Sequence, residues 1–375
     1  MTGEENSCET PIRSYGGRLR VRNFRNYAET AIDLAPGHNI IVGANGQGKS
    51  NMLEAIYALA TTRSFRGAKD ADVILHDAVE AEIGITAGEA DTELKLTYVR
   101  GGRRWAAVYG QKLPAVHDLI GRMPAVVFSS SDLDIVSGEP SERRKFMDAE
   151  ISLVSPAYLK AFSGFKRVLE QRNANLRRIR DGELLSDSLD PWDAQLAARS
   201  VVLRATRTDY MVEIGALAAE KHRELTDSTE ELMLTYDPAD EASNEGDHLD
   251  ELVKSRNQDI YAGFTTVGPH RDDFRVGIDG TSSRAFGSRG QQRTAVLAIK
   301  LAVALYWRDR MRIMPIVLLD DIMSDLDERR RNLVMSVSGN LGQVVITATD
   351  IHQILQEVRS GAKVFEVSRG TIKER

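Results

Sequence analysis

The sequence predicts an α/β protein: a mixed β-sheet with flanking helices, interrupted by a mostly helical second lobe. Three observations predict it. Short β-rich runs separated by turns fill residues 19–100, among them "RLRVRNF", "HNIIVG", "VEAEIGITA" and "TELKLTYV". The text turns helical from 142 to 225, and strands resume after 261 with "FRVGIDG", "PIVLLDD", "QVVITATD" and "KVFEVSRG". A glycine-rich turn, "GANGQGKS" at 43–50, joins the strand "NIIVG" to a helix.

Taken in order, residues 1–17 read as a flexible leader. They hold no apolar stretch of signal-peptide type. Residues 18–145 form the first part of a head domain. Within it Leu53, Ile56, Tyr57 and Ala60 recur at helical spacing, so 48–60 is a helix packed on the sheet. "PAVVF" at 124–128 is a buried strand. Residues 146–262 form the helical insertion, in which "DGELLSDSLDP" separates two long helices as an α-hairpin. Residues 227–251 hold ten acidic residues and no Lys or Arg, which predicts a solvated loop around one strand, "ELMLTY". Residues 263–375 complete the head and include a long helix over 290–311.

Composition narrows the function classes. An apolar content of 42% over 375 residues supplies cores for two domains. A net charge of −6 argues against coating nucleic acid over the whole surface and leaves room for a local basic patch. One cysteine, Cys8, forms no internal disulfide, which fits a reducing compartment. Lys300 interrupts the longest apolar run short of the about 18 residues a membrane span needs. The expectation is a soluble cytoplasmic protein.

The chemistry concentrates in four stretches. "GANGQGKS" fits the phosphate-loop pattern G-x-x-x-x-G-K-[ST] between a strand and a helix. Gly43, Ala44, Asn45, Gly46, Gln47 and Gly48 let backbone N–H groups face phosphate oxygens, Lys49 adds a cation, and Ser50 offers Mg²⁺ a hydroxyl, with Asn51 next in line. "PIVLLDD" is a buried strand ending in two carboxylates. Asp320 suits a water-mediated hold on Mg²⁺, and Asp321 suits the general base that orients the attacking water. "SDLDERRRNL" begins with Ser324, Asp325 and Asp327, which either cap the next helix or form the D-loop of ABC-type ATPases. "GSRGQQR" at 287–293 starts a helix with Ser288, Gly290 and Gln291, which read alone is a capped helix start and read with the other motifs is a second anion-friendly site. One γ-phosphate has no use for two glycine loops of one chain, but it can use the second loop of a neighbouring copy. The order of phosphate loop, insertion, S-x-G-Q, Walker B and D-loop is that of an ABC-type head split by an insert.

On these residues the chain resembles the RecF family of bacterial recombination mediator ATPases almost end to end. The blocks that carry the likeness are "NFRNY", "GANGQGKSNMLEAIYALATTRSFRG", "GEPSERRKFMD", "QRNANL", "WDAQLA", "GPHRDDF", "SRGQQR" and "LLDDIMSDLDERR". The resemblance implies ATP and Mg²⁺ as ligands, slow DNA-stimulated hydrolysis, and ATP-dependent homodimerisation on double-stranded DNA at single-strand gaps or junctions. It also implies help for RecR and RecO in loading RecA, with replication restart and SOS induction as the outcome. The chain departs from the family after Phe128, where Ser130 and Ser131 precede Asp132. It also has Thr349 and Asp350, with His352 beyond, where ABC transporters carry a switch histidine.

A DNA patch would need clustered cations, because affinity comes largely from neutralised phosphates. Residues 160–180 carry seven basic side chains against one acid. The candidates are Arg66, Arg143, Arg144, Lys166, Arg167, Arg172, Arg177 and Arg178. No base-reading motif is present, so preference would follow DNA shape. Other readings fit less well. A transporter nucleotide domain would place its signature nearer the phosphate loop. An SMC-like ATPase would need a longer arm than the ~40–55 Å these helices span. A nucleotide-gated scaffold with negligible turnover stays open beside a true ATPase.

Overall fold

The computed structural model describes residues 16–88, 91–312, 314–339 and 341–375. Nearly all of the expected leader, Cys8 included, lies outside the described residues. The chain forms two compact units, one joining the chain up to Asp132 to Val303–Arg375, the other comprising Leu133–Ala302.

Before Asp132 the chain gives β1 (Gly17–Phe24), β2 (Tyr27–Leu34), β3 (His38–Val42) and α1 (Lys49–Thr61). It continues with β4 (Glu80–Ala87), β5 (Thr92–Val99), β6 (Trp105–Val108), β7 (Gln111–Lys112) and β8 (Ala125–Phe128). The second unit holds α2 (Asp134–Ser137), α3 (Pro140–Val154), α4 (Pro156–Arg180), α5 (Asp190–Thr226) and β9 (Leu232–Asp237). α6 (Glu245–Lys254), α7 (Arg256–Ala262), β10 (Asp273–Ile278), β11 (Thr281–Ser282) and α8 (Ser283–Phe286) follow, and then α9 (Arg289–Met311). The chain closes with β12 (Ile316–Asp320), α10 (Glu328–Gly339), β13 (Val344–Ala348), α11 (Gln356–Ser360), β14 (Lys363–Ser368) and β15 (Thr371–Glu374).

Two six-stranded sheets build the first unit. One, ordered β2-β1-β4-β5-β6-β7, is antiparallel. Its strands alternate buried and half-exposed residues, as β4 does throughout, which is the signature of a sheet with one covered face. The other, ordered β15-β14-β3-β13-β12-β8, is parallel apart from β15. Its inner strands are continuous apolar runs because both faces are covered: Ile40, Ile41, Val317, Leu318, Val344 and Val345 are all fully buried. α1 contacts β1, β4 and β5 of one sheet and β8, β12 and β13 of the other. Met52, Leu53, Ile56 and Leu59 are therefore inaccessible, and each large apolar side chain so buried contributes about 1.5–3 kcal/mol. The phosphate loop thus leads into a helix held between both sheets.

The second unit is built on the α4–α5 hairpin and a three-stranded sheet ordered β11-β10-β9. Two expectations change here. The helical text before residue 181 is not continuous. It breaks at Ser155, whose hydroxyl caps α4 by accepting the Tyr158 N–H at 3.2 Å, with Pro156 in the first turn. The acidic segment is not merely a loop around β9, because α6 occupies its end. Asn244 caps α6 by accepting the Asp247 N–H at 3.0 Å, and the i, i+4 pair His248 and Leu252 is buried.

Polar groups hold this unit together internally. Arg172 is wholly buried, with Asp193 and Asp259 each at 2.6 Å and the Thr265 hydroxyl at 2.9 Å. Arg207 pairs with Asp148 at 2.8 Å and donates to the Pro269 carbonyl, while Arg204 bridges Asp240 and Asp272. Charge-assisted hydrogen bonds to carboxylates, bidentate for Arg204, are what make such burial tolerable. Among the described residues no helix is long and apolar enough to cross a membrane.

Candidate nucleotide-binding site

The strand order β3-β13-β12 sets the site. The carboxyl ends of β3 and β12 flank that of β13, where ligands of open parallel sheets bind. The phosphate loop leaves β3, Asp320 ends β12 with Asp321 just beyond, and Thr347, next to last in β13, lies opposite Asp320 in register. Ser50 donates its hydroxyl to Asp320 Oδ1 at 2.7 Å, and Thr347 donates to the same oxygen at 3.0 Å. Residues 270 apart in sequence thereby meet in one polar cluster.

Lys49 is folded back on its own loop. Its Nζ donates to the carbonyls of Gly43 at 2.7 Å and Ala44 at 3.1 Å. Burial pushes the ammonium below the usual lysine range, against the opposing pull of Asp321 and then Asp320. Ala44, Asn45 and Gly46 form the exposed crest. Gln47 accepts at its carbonyl from Asn26 at 2.8 Å, and Asn51 donates to the other amide atom of Asn26 at 2.8 Å. Asp321 sits at φ 54°, an uncommon backbone state for a non-glycine residue, and its N–H donates to the Thr347 hydroxyl at 2.9 Å. Storing such strain at a strand end is typical of functional turns.

The sequence did not single out the supports of this site. Glu54 on α1 is fully buried and receives Arg25 at 2.6 Å, Arg66 at 3.5 Å and the Ser64 hydroxyl at 2.5 Å. Arg66 also donates to Asn51 at 2.8 Å. Only the 3.6-residue spacing on α1 and the basic neighbours in "NFRNY" and "SFRG" hinted at Glu54. Thr347 had no signal of its own.

The S-x-G-Q stretch lies in the second unit. Ser288 and Gln291 cap α9 reciprocally: the Ser288 N–H donates to Gln291 Oε1 at 2.9 Å, and the Gln291 N–H donates to Ser288 Oγ at 3.2 Å. Gln291 Nε2 donates to Glu230 at 3.0 Å, so the acidic segment reaches this helix start. Ser288 and Gly290 are exposed. Asp327 caps α10 by accepting the Arg330 N–H at 2.9 Å. Ser324 and Asp325 belong to the turn before it, and their side chains lie outside the described ones. Asp132 closes its own loop by accepting the Ser129 N–H at 2.6 Å, and Asp350 accepts the His352 N–H at 2.8 Å.

The basic candidates separate into two groups. Arg172 is buried in its ion pairs, and Arg143 is bound bidentately to Asp273 at 2.7 and 2.8 Å with 8% of its side chain exposed. Arg144 donates to the Asp272 carbonyl at 2.8 Å. Arg172 and Arg143 are fixed by structure and leave the candidate DNA set, whereas Arg144 stays half-exposed. Arg66 is committed to Glu54 and Asn51. Lys166, Arg167, Arg177 and Arg178 are exposed on α4, with Lys166 over the Phe162 ring and Arg178 paired with Glu183 at 2.9 Å.

A phosphate loop and a strand-end carboxylate meeting across β13, in a sheet of this order, define the head of an ABC-type P-loop ATPase. The chain matches the RecF/RecN/SMC N-terminal domain over residues 17–373. It is 38% identical over 364 residues to the DNA replication and repair protein RecF of Heliobacterium modesticaldum, covering 94% of this chain and 97% of that protein. The RecF protein of Lachnoclostridium phytofermentans is 36% identical over 360 residues, covering 95% and 98%. Among solved structures, the recombination mediator RecF with ATP in the RecFOR pathway superposes with a TM-score of 0.90 at 28% identity, over 98% of this chain and 99% of that one. The Smc head domain of Pyrococcus furiosus, at TM-score 0.55 and 17% identity over 96% of each chain, shares the fold. The chain belongs to the RecF family.

Proposed function

We propose that this protein is an ATP-binding, slowly hydrolysing ATPase of recombinational DNA repair that closes into a homodimer on DNA. The observation that carries the reading is the Ser50–Asp320 contact at 2.7 Å, because it joins the phosphate loop to the strand-end carboxylate of an ATPase. Relatives named as DNA replication and repair proteins, and a RecF structure with ATP, support it.

The residues fit Mg²⁺. Ser50 and Asp320 offer hard oxygen donors side by side. Mg²⁺ is usually held this way, by one or two protein oxygens plus nucleotide phosphates. When bound, it would neutralise charge on the phosphates. Lys49 would exchange its two carbonyls for phosphate oxygens, and the loop N–H groups would orient them. Asp321 would hold the attacking water and accept its proton. In a closed pair, Ser288, Gly290 and Gln291 of one copy would face the γ-phosphate held by the other, with Ser324, Asp325 and Asp327 along the seam. The exposed cations of α4, Lys166, Arg167, Arg177 and Arg178, would meet DNA phosphates without reading bases. Handing the gap to RecR and RecO for RecA loading is the role that family membership favours.

One experiment tests this reading: ATP turnover and sedimentation of wild type, Asp321→Asn and Ser288→Arg, with and without gapped DNA. Asp321→Asn should cut turnover at least about tenfold, the usual scale for losing a general base. Ser288→Arg should still bind ATP and no longer dimerise. An intact ATP-dependent dimer in Ser288→Arg would sink the shared-site arrangement. Turnover unchanged in Asp321→Asn would remove it as the base.

A further inference from the structure

The turn between β14 and β15 touches the phosphate loop. Ser368 and Thr371 are paired in register, leaving Arg369 and Gly370 as a two-residue loop at φ 48° and 71°. Positive φ at both positions is the type I′ hairpin, which favours Asn-Gly or Gly-Gly. The turn is laid on Gln47. The Arg369 N–H donates to Gln47 Oε1 at 2.7 Å, and the Gly370 N–H donates to the Gln47 carbonyl at 3.2 Å. Gly370 is required there, because a Cβ would come within 2.1 Å of the Asn26 carbonyl oxygen.

Arg369 is not required by the turn. Its backbone role needs only an N–H, and an arginine in the left-handed region is costlier than asparagine or glycine. Its side chain is exposed and makes no hydrogen bond or ion pair among the described residues. Three nearby cations are already occupied: Lys49 by two carbonyls, Arg25 and Arg66 by Glu54. A strained, unpaired guanidinium, anchored by its own N–H to a phosphate-loop side chain, calls for an anionic ligand.

We infer that Arg369 is a nucleotide-phosphate contact, delivered to the phosphate loop by the β14–β15 turn. The inference rests on the reading that this loop binds ATP. Because the turn hangs on Gln47, the contact arrives with the loop and needs no separate closure. It makes the C-terminal hairpin part of the nucleotide site.

The test is ATP affinity by calorimetry, with thermal unfolding, for wild type, Arg369→Gly, Arg369→Lys and Lys49→Ala. Glycine suits the turn and keeps both N–H donors, so Arg369→Gly should melt no lower than wild type. It should bind ATP about tenfold more weakly, the scale of one charge-assisted hydrogen bond. That loss should shrink as salt rises, and Arg369→Lys should recover part of it. Wild-type affinity in Arg369→Gly, with Lys49→Ala unable to bind, would overturn this inference alone. Wild-type affinity in Lys49→Ala would overturn the reading of the loop itself.

Discussion

The two glycine loops of this chain, 43–50 and 287–293, are finished to different degrees. The first is complete within its own chain. Its lysine is tied to two carbonyls, its serine to Asp320, and its Gln47 to Asn26 and the β14–β15 turn. The second is tied to neighbouring chain rather than to a sheet end: Ser288 and Gln291 cap each other, Gln291 donates to Glu230, and Gln292 Nε2 and the Gly287 N–H donate to the Ser283 carbonyl at 2.9 and 3.0 Å. One glycine of each loop, Gly48 and Gly290, shows a further difference. At Gly48 a Cβ would stand 2.7 Å from Asn26 and 3.0 Å from the Tyr27 hydroxyl, at φ 122°. At Gly290 it would meet only Ser288 Oγ at 3.8 Å, an ordinary contact. Gly48 is explained by its neighbours, whereas among the described residues nothing crowds Gly290. A glycine that its own fold does not need fits a loop whose ligand comes with another copy.

The largest effect should come from Gly48→Ala. The backbone state there is costly for any side chain, about 1–3 kcal/mol before the clash with Asn26 and Tyr27 is added. Thermal unfolding should show the loss, and calorimetry should show no measurable ATP binding. A variant that melts and binds like wild type would mean that the loop does not depend on this geometry, and the contrast with 287–293 would fail.

Part of this contrast was legible in the sequence. The strand–loop–helix context of "GANGQGKS" and the apolar run ending in Asp320 depend on local pattern, and the sheet placed them accordingly. Helix starts were harder. The Ser155–Pro156 break and the Asn244 cap carry clear cap chemistry, but the surrounding charge pattern drew attention away from them. The arginines show a deeper limit. "QRNANL" and "WDAQLA" read as surface-charged helix text, yet Arg172 and Asp193 are both fully buried partners at 2.6 Å. Charge alone does not reveal burial when the pairing residue lies on another helix, so part of the expected DNA patch became the core of the second unit. Thr347 and Arg369 were invisible because their roles depend on long-range register.

A smaller and more selective effect is expected at Gly290. Alanine in the first turn of α9 should leave the monomer intact and raise its stability by at most about 0.5–1 kcal/mol, since glycine is the poorer helix former. ATP affinity of the monomer should not change, because the phosphate loop is untouched. Dimerisation followed by sedimentation should need several-fold more ATP, because in the proposed closed pair the added methyl would face the phosphate of the other copy. If Gly290→Ala dimerises like wild type, the glycine has no ligand to accommodate, and both loops would have to be read as private to one chain.

The smallest effect should come from Glu230→Gln, and it probes the one feature that opposes an anion at α9. Glu230 accepts from Gln291 at 3.0 Å and also lies 3.7 Å from His222 Nε2, with 23% of its side chain exposed. A carboxylate at a helix N-terminus is itself stabilised by the helix dipole, by about 0.3–1 kcal/mol, and an arriving phosphate must compete with it. Glutamine keeps the acceptor for Gln291 and removes the charge. ATP-driven dimerisation should therefore reach its midpoint at about two- to fivefold lower ATP, the factor that such an energy corresponds to, with monomer ATP affinity unchanged. A midpoint shifted to higher ATP would show that the carboxylate helps hold the signature in its working form. The second loop would then be as finished as the first, and the difference between them would reduce to which copy supplies the phosphate.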